Sequence, residues 1–377
     1  PQLLEVNYCV PGKIVYLYKC HGLDRASLIT HEHPFLHRIK LSIDRKISDH
    51  RTLAVNSNSK NFLTSLGLWS HFNKKPENID KIIIKDYVNH EPLIFENHKP
   101  MGYVAYNQEI LKKARSKLLK SHSIIYDSKF CLNDILFEKK FIYKNDLYQF
   151  KNIILSLGKN FNLPQAIFKK NFHSNHKSYV GFFNHSKNHQ NIAYEIFTKE
   201  GPLAVLPAPQ LDKKQSTFIF STTNTATHQK LKNLLSLYFK NSHGAINLLA
   251  RISNFDLAPH ISNTLNDNYI LMGDTMRSIH PVAGQGWNLG IKDIQTLCSL
   301  LDIYKADNPD LNRIYHSKRI IESTAYLTFT SVINALYDNE NFLSRNVIKF
   351  GYQSLLNIET LRASFVKQAM GDFNLIG

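Results

Sequence analysis

The stretch from Tyr269 to Leu301 constrains this chain more than any other, because it reads as four structural events in succession. Tyr269–Met272 is a short apolar run of the kind that ends a buried strand. Gly273-Asp274 closes it and places a carboxylate at the strand's C-terminal edge, where open α/β sheets bind ligands. Pro281 and the turn Gly284-Gln285-Gly286 then open a helix. Ile291, Ile294, Leu297, Cys298 and Leu301 follow at three- and four-residue spacing, which gives that helix one apolar face. A glycine-rich helix start presents N–H groups outside the i to i−4 ladder and the positive end of the helix dipole. Such a site suits an anionic or electron-rich ligand edge.

The 377 residues suffice for a large core and two intertwined domains. No apolar run approaches the roughly 18 residues needed to cross a bilayer. No signal segment leads the chain, which begins at Pro1 rather than Met. Cys9, Cys20, Cys131 and Cys298 lie far apart without a Cys-x-x-Cys pair, so neither a metal site nor a disulfide framework is expected. The balance of 46 Lys+Arg against 30 Asp+Glu, net +16, gives a basic surface that attracts nucleic acid or an anionic membrane face. The lysines are scattered in pairs such as Lys74-Lys75 and Lys213-Lys214, and no RRM, KH or helix-turn-helix signature appears. Nucleic acid is therefore not expected. The expected location is cytoplasmic, with peripheral contact at the inner membrane face. No Ser-His-Asp spacing, metal cluster or P-loop competes with the glycine-rich loop.

Along the chain, Ile14–Tyr18 and Ala26–Ile29 read as strands, and Arg51–Val55 as a strand followed by Ser59–Trp69. Met101–Tyr106 leads into an amphipathic helix that begins with Ile110, Leu111 and Leu118. Ser123–Tyr126, Lys140–Tyr143 and Ile153–Leu157 are further short strands. Ser178–Phe183, Asn191–Thr198, Leu203–Leu206 and Ser216–Ser221 form an antiparallel sheet. Thr225–Phe239 and Gly244–Ile252 read as helices, as do Tyr315–Tyr337 and Leu361–Gly371.

The string Gly273-Asp274-x6-Pro281-x2-Gly284-Gln285-Gly286-x-Asn288-x-Gly290-x2-Asp293 resembles the second flavin motif of the FAD-dependent aromatic hydroxylases, and most closely their ubiquinone-biosynthesis branch. Phe197–Pro207 resembles the substrate-domain hairpin of that branch. The resemblance implies an α/β (α+β) fold like that of para-hydroxybenzoate hydroxylase: a Rossmann-like FAD-binding domain interleaved with an antiparallel substrate sheet, then C-terminal helices. Its implied boundaries are 1–74, 100–162 and 266–310 for the FAD-binding domain, 75–99 and 163–265 for the substrate domain, and 311–377 for the helical segment.

The resemblance also assigns roles. Gly273 and Asp274 meet the ribityl chain, with the carboxylate accepting from its hydroxyls. Pro281, Gly284 and Gln285 belong to the loop facing the flavin ring. Backbone N–H groups of Gly286, Trp287 and Asn288 face the ring's pyrimidine edge. Arg51 approaches the FAD phosphates, and Asn107 lies by the cofactor. His280 is a candidate proton relay, with no other catalytic residue assigned. Leu203, Val205 and Pro207 line the substrate cavity. Two family motifs depart from pattern. The first-turn Gly-x-Gly-x-x-Gly is represented by Gly12 alone within Val6–Gly12, and the Asp-Gly motif retains Gly158 but has Leu157 where the aspartate belongs. Leucine accepts no hydrogen bond, so that role does not carry over. The implied activity is FAD-dependent monooxygenation of a prenylated phenolic quinone precursor, with O2 and NAD(P)H or another electron donor. Association with a membrane surface or a ubiquinone-biosynthesis complex goes with it. The alternative is a catalytically impaired paralogue that serves as a structural or assembly partner in the same pathway.

Overall fold

Period-two runs in the middle of the chain and period-3.6 runs in its last third fold into a sheet-rich and a helix-rich part. The computed structural model describes residues 15–17, 39–40, 51–89, 91–119, 125–126, 140–143, 146–149, 152–156, 158–159, 167–172, 174–264, 269–280, 284–304, 308–338 and 341–371. The first elements are β1 (Val15–Leu17), β2 (Ile39–Lys40), β3 (Thr52–Asn56), α1 (Ser57–Ser65), β4 (Glu77–Ile79), β5 (Lys81–Asp86) and β6 (Leu93–Glu96). Then come β7 (Gly102–Tyr106), α2 (Asn107–Leu119), β8 (Ile125–Tyr126), β9 (Lys140–Tyr143), β10 (Asp146–Gln149) and β11 (Ile153–Leu155). The middle holds β12 (Ile167–Asn171), β13 (Lys177–His185), β14 (Ile192–Thr198), β15 (Gly201–Pro207), β16 (Gln215–Thr222), α3 (His228–His243), β17 (Ile246–Asp256) and β18 (His260–Thr264). The last third has β19 (Tyr269–Leu271), a single 3-10 turn at Gly273–Thr275, β20 (Arg277–Ser278), α4 (Gln285–Ile303), α5 (Leu311–Asp338), α6 (Phe342–Asn357) and α7 (Glu359–Met370).

The large sheet has the order β17-β13-β16-β15-β14-β5-β6 and is antiparallel except where β14 meets β5. One face buries Tyr179, Phe183, Leu203, Val205, Phe218 and Phe220 beneath Leu231, Leu235 and Phe239 of α3. Each such side chain stabilises by roughly 1.5–3 kcal/mol on leaving water. Thr227 caps α3 by accepting from the Lys230 N–H at 3.2 Å. The β14–β15 turn requires glycine at 201: φ is +129°, and a Cβ there would lie 1.9 Å from the Ser221 carbonyl oxygen.

This sheet corrects two expectations. Gly244–Ile252 is not a helix. Ile246, Leu249 and Ile252 are spaced like a helix face, but α3 already ends at Gly244 and the segment hydrogen-bonds along β13 as an edge strand. Glu77–Ile79, expected with the substrate domain, pairs instead with β7 in the sheet β3-β7-β4, and Lys81 is the first residue of the large sheet.

A second core joins Val55 of β3, Leu63 of α1, Ile110 of α2, Ile154, Ile270 and the inward face of α4. Its central strands β11 and β19 run parallel, but β1 pairs antiparallel with β11. Val15–Leu17, within the expected strand Ile14–Tyr18, therefore does not enter this sheet as a βαβ unit would, where the neighbouring strands run parallel. Two smaller pairings, β2 with β8 and β9 with β10, complete the first half among the described residues. Gly12, Leu157, Pro281 and Ala26–Ile29 lie outside those residues. The end of α5 is pinned to the large sheet, where Tyr337 stacks on Phe197 at 4.2 Å and donates to Asp86 at 2.9 Å.

Three buried histidines lie beneath α3. The rings of His185 and His243 are 4.6 Å apart, and those of His185 and His189 6.2 Å. Burial, then repulsion by neighbouring imidazoles, lowers His243 to about 3 and His189 to about 4, from 6.5. Both are neutral in the folded chain at pH 7. Below pH 6.5 the unfolded chain takes up protons that the folded state refuses, so this stability is full above about pH 6.5 and is lost as pH falls towards 4. We predict that the urea midpoint drops between pH 7 and pH 5, and that the drop is smaller in His243→Phe. Equal drops would show that His243 is not a source of the acid sensitivity.

Candidate functional site

The loop singled out in the sequence is held from beneath by one carboxylate. Asp293 is fully buried on the inward face of α4. Its Oδ2 accepts from the Gly273 N–H at 2.9 Å, and Arg277 donates to both of its oxygens at 2.8 and 2.9 Å. From α5, Arg319 Nε donates to Oδ1 at 2.7 Å. Burial alone would raise the Asp293 pKa, but Arg277 and Arg319 outweigh it and hold the carboxyl below its ordinary value. Arg319 also pairs with Glu322, which Lys292 reaches at 2.8 Å. Two further bonds bring α5 to the strand: Tyr315 donates to the Leu271 carbonyl at 3.1 Å, and His316 Nε2 lies 2.9 Å from the Tyr269 carbonyl. The turn that carries Asp274 is thus fixed by charge as well as by backbone.

Asp274 is half-buried in the 3-10 turn that follows β19. Its carbonyl is 2.9 Å from Nε2 of His260 on the neighbouring strand β18. Burial, then Lys169, lowers His260 to about 4, so its ring is neutral near pH 7 and donates from one nitrogen only, to the Asp274 carbonyl or to that of Ala258, 3.3 Å from Nδ1.

Gly284 caps α4 in the left-handed region at φ +60°, where a Cβ would come within 3.2 Å of Ala54 Cβ. Close packing on β3 and backbone conformation both select glycine there. Asn288 crosses the same junction: its Oδ1 accepts from the Asn56 N–H and its Nδ2 donates to the Ala54 carbonyl, each at 3.0 Å. Asn56 in turn caps α1 by accepting from the Ser59 N–H at 2.8 Å. Gln285 and Gly286 are half-buried in the first turn of α4.

One of the expected donors at the ring edge needs correction. A helix beginning at Gln285 commits the Asn288 N–H to the Gly284 carbonyl, and the Asn288 side chain bonds to β3. Trp287 turns its indole into the core with Ile291 and Ile154.

The remaining expected residues fall into two groups. Arg51 and Asn107 are brought together, because the Asn107 N–H donates to the Arg51 carbonyl at 2.9 Å across the β3–β7 pairing. The Arg51 guanidinium lies 5.4 Å from the Phe255 ring centre. At about 3.4 Å per residue, Arg51 is roughly 10 Å along the strand from Ala54, where Gly284 packs. Leu203, Val205 and Pro207 are corrected: they share the face of β15 that packs beneath α3, away from the interdomain side. A one-residue shift along a strand exchanges its faces. The opposite face presents Ala204 and Leu206, and on β13 it presents Phe182, whose ring lies 6.1 Å from that of Tyr106, the residue before Asn107.

His280 is buried, and neither ring nitrogen has a hydrogen-bond partner among the described residues. Its ring meets His176 edge-on at 5.2 Å, and His176 Nε2 lies 3.3 Å from Asp338. Burial, then His176, lowers its pKa to about 4, against the pull of Asp338. A buried neutral imidazole with two unsatisfied nitrogens beside a helix start fits a polar ligand that completes its bonding. Together with the Asp274 acceptor and the α4 dipole, this suits the ring and ribityl end of FAD. Gly158, at φ +78°, has open space around it, and Gly12 cannot be compared.

The FAD binding domain family matches residues 177–330. The human mitochondrial ubiquinone biosynthesis monooxygenase COQ6 is 23% identical, covering 85% of this chain and 81% of that protein. The ubiquinone hydroxylase UbiL of Rhodospirillum rubrum is 24% identical over 51% of this chain and 47% of its own length. Among solved structures, the p-nitrophenol 4-monooxygenase PnpA of Pseudomonas putida superposes with a TM-score of 0.65 at 10% identity, over 89% of this chain and 92% of that one. Klebsiella pneumoniae HpxO, complexed with FAD and uric acid, gives 0.58 at 11% identity over 89% of each. Residues 177–330 carry the likeness to the FAD binding domain family, and most of the chain is similar to a ubiquinone biosynthesis monooxygenase. The fold is that of the solved flavin monooxygenases.

Arg277, Arg319, Tyr315 and Glu322 were not singled out from the sequence. The signal for this network was Asp293 itself, a carboxylate in register with Leu297 and Leu300 on the buried face of α4. A carboxylate there requires a buried cation. We predict that Asp293→Ala, which strands two buried guanidinium groups, costs about 3–5 kcal/mol of unfolding free energy. Denaturant titration checks this, and a loss below about 1 kcal/mol contradicts the network's role.

Proposed function

We propose that this protein hydroxylates the aromatic ring of a prenylated phenol, a quinone precursor in ubiquinone synthesis. O2 is the oxidant, and NAD(P)H or another reductant is the electron donor. The observation that carries the reading is the charge-fixed Gly273–Asn288 junction, in a chain similar over 85% of its length to a ubiquinone biosynthesis monooxygenase. The chemistry FAD supplies when bound is activation of O2 for transfer of one oxygen atom to an electron-rich ring carbon.

The chain's own residues bind, orient and exclude. Asp274 accepts from ribityl hydroxyls. The start of α4 stabilises negative charge at the ring edge by roughly 0.3–1 kcal/mol when exposed and up to about 2 when partly buried. Arg51 neutralises phosphate charge. Neutral His280 exchanges a proton at a ring nitrogen close to the reacting centre, in a site that excludes water. The substrate ring lies against the interdomain face of the large sheet, with Phe182 and Tyr106 as its aromatic wall. A role as a non-catalytic assembly partner has less support, because such a role does not require an unsatisfied buried imidazole beside this loop.

The direct assay follows O2 uptake and product mass with a short-chain prenylated phenol, FAD and NAD(P)H. A product one oxygen heavier, formed in step with the O2 consumed, is expected; no turnover with any reductant sinks the reading. Asp274→Ala should weaken FAD binding by about tenfold or more, since a hydrogen bond to a charged group contributes roughly 1.5–3 kcal/mol. Equilibrium dialysis measures it, and an unchanged Kd rejects the role. Phe182→Ala should raise the substrate KM several-fold with FAD retained. Leu203→Ala should instead cost about 2–5 kcal/mol of stability, as core truncations do. The reverse pattern would return the substrate cavity to the α3 face.

A further inference from the structure

His280 is the inner end of a series of side chains that leads to solvent. It is 4% exposed, and its ring meets that of His176, 8% exposed, edge-on at 5.2 Å. His176 Nε2 lies 3.3 Å from Oδ1 of Asp338, whose side chain is 43% exposed. Exposure thus rises step by step from the buried loop before α4 to the end of α5. Three separate pieces of chain supply the series: His280 follows β20, His176 precedes β13, and Asp338 is the last residue of α5.

The backbones that carry the outer two members are held in place. The His176 carbonyl accepts from the Leu257 N–H at 3.0 Å. Tyr337, next to Asp338, stacks on Phe197 and donates to Asp86, which also accepts from the Val88 N–H at 2.9 Å. Asp86 is engaged there, and Asp338 is the carboxylate that meets His176. The facing sides of the two imidazoles are looser. His176 Nδ1 meets the Ser174 hydroxyl at 3.5 Å, the long limit of a hydrogen bond, and His280 has no partner on either nitrogen among the described residues. A small turn of either ring, or one bridging water, brings a nitrogen of each within reach of the other. His176 opposes protonation of His280 and Asp338 favours it, so the two groups already act on that ring through their charge.

We propose that His176 and Asp338 conduct protons between His280 and solvent. The proposal rests on the hydroxylase reading for the group with which His280 exchanges its proton, and goes beyond it in assigning the route. The phenol O–H bond breaks and its proton goes to one nitrogen of His280, while the proton on the other nitrogen passes to His176. His176 releases a proton from Nε2 to the Asp338 carboxylate, which hands it to water. The same steps run backwards when a proton is returned, and no electron moves along the route. A neutral imidazole suits this task because it accepts on one nitrogen and donates from the other. A site closed to water needs such a route, since the phenol cannot exchange its proton with solvent directly. Neither His176 nor Asp338 touches the substrate; both act through His280.

The first test needs neither cofactor nor substrate. In the full chain, isotope-labelled in its histidines and without FAD, NMR follows exchange of the His280 ring proton with water at pH 7. The signal is assigned by its loss in His280→Gln. Asp338→Asn and His176→Gln should each slow the exchange by about tenfold or more while keeping the wild-type circular dichroism. The second test uses the FAD-loaded enzyme and a short-chain prenylated phenol. Asp338→Asn should lower kcat by roughly 100-fold, the low end of what a positioned proton-transfer group contributes, with KM and the FAD Kd unchanged. Asp338→Glu should recover most of that loss, and free imidazole should restore turnover saturably in His176→Ala, which leaves room for it. Wild-type exchange rates in both variants overturn the proposal. So does a fall in kcat that comes with weakened FAD binding and no rescue, which would make the two residues structural. If exchange slows as expected but wild type hydroxylates nothing, the hydroxylase reading falls and the proton route stands.

Discussion

Asp293 is the residue on which the rest of this structure depends. A buried carboxylate is unfavourable unless its charge and lone pairs are met, and here two guanidinium groups and a backbone N–H meet them. Those three partners come from separate pieces of chain: the Gly273 turn, the short strand β20 and helix α5. One side chain on α4 thereby sets where the strand end, the cofactor loop and the C-terminal helices lie relative to one another. Replacing the network with apolar residues need not reduce stability. Its value lies in geometry, because apolar packing alone would tolerate sliding of the turn that carries Asp274.

The opposite side of the loop is held by neutral bonds. Gly284 allows α4 to approach β3 closely, and Asn288 bridges the helix to the strand's Ala54 and Asn56. The two ends of the loop are therefore fixed, by charge at Gly273 and Arg277 and by amide hydrogen bonds at Asn288. His280 is a buried ring whose nitrogens have no hydrogen-bond partner among the described residues, as is true of Arg277 Nε and Trp287 Nε1 nearby. An imidazole so placed suits a polar group that binds beside it.

Much of this was legible in residues. The string from Gly273 to Asp293 pointed to the FAD binding domain family that residues 177–330 match, and the strand and helix it implied are those that fold. The antiparallel strands after Ser178 were legible because alternation on a half-buried sheet is a local signal. Gly244–Ile252 was misread because short apolar spacing does not separate an edge strand from a helix, and the deciding partner, β13, is some 60 residues away. The faces of β15 were reversed for a related reason: Leu203 and Val205 alternate correctly, but only the position of α3 decides which side is core. Arg277 and Arg319 escaped notice because a buried ion pair depends on tertiary proximity between distant segments.

The proposed flavin site, built on Gly273–Asp274 and the start of α4 with Asp293 beneath, must hold FAD despite the altered Asp-Gly motif. The most direct measurement is the visible absorption spectrum of the purified chain after incubation with FAD and removal of free flavin by gel filtration. A coloured protein is expected, with flavin bound near one per chain and absorption bands shifted from those of free FAD. A colourless protein that elutes folded and without flavin would contradict it.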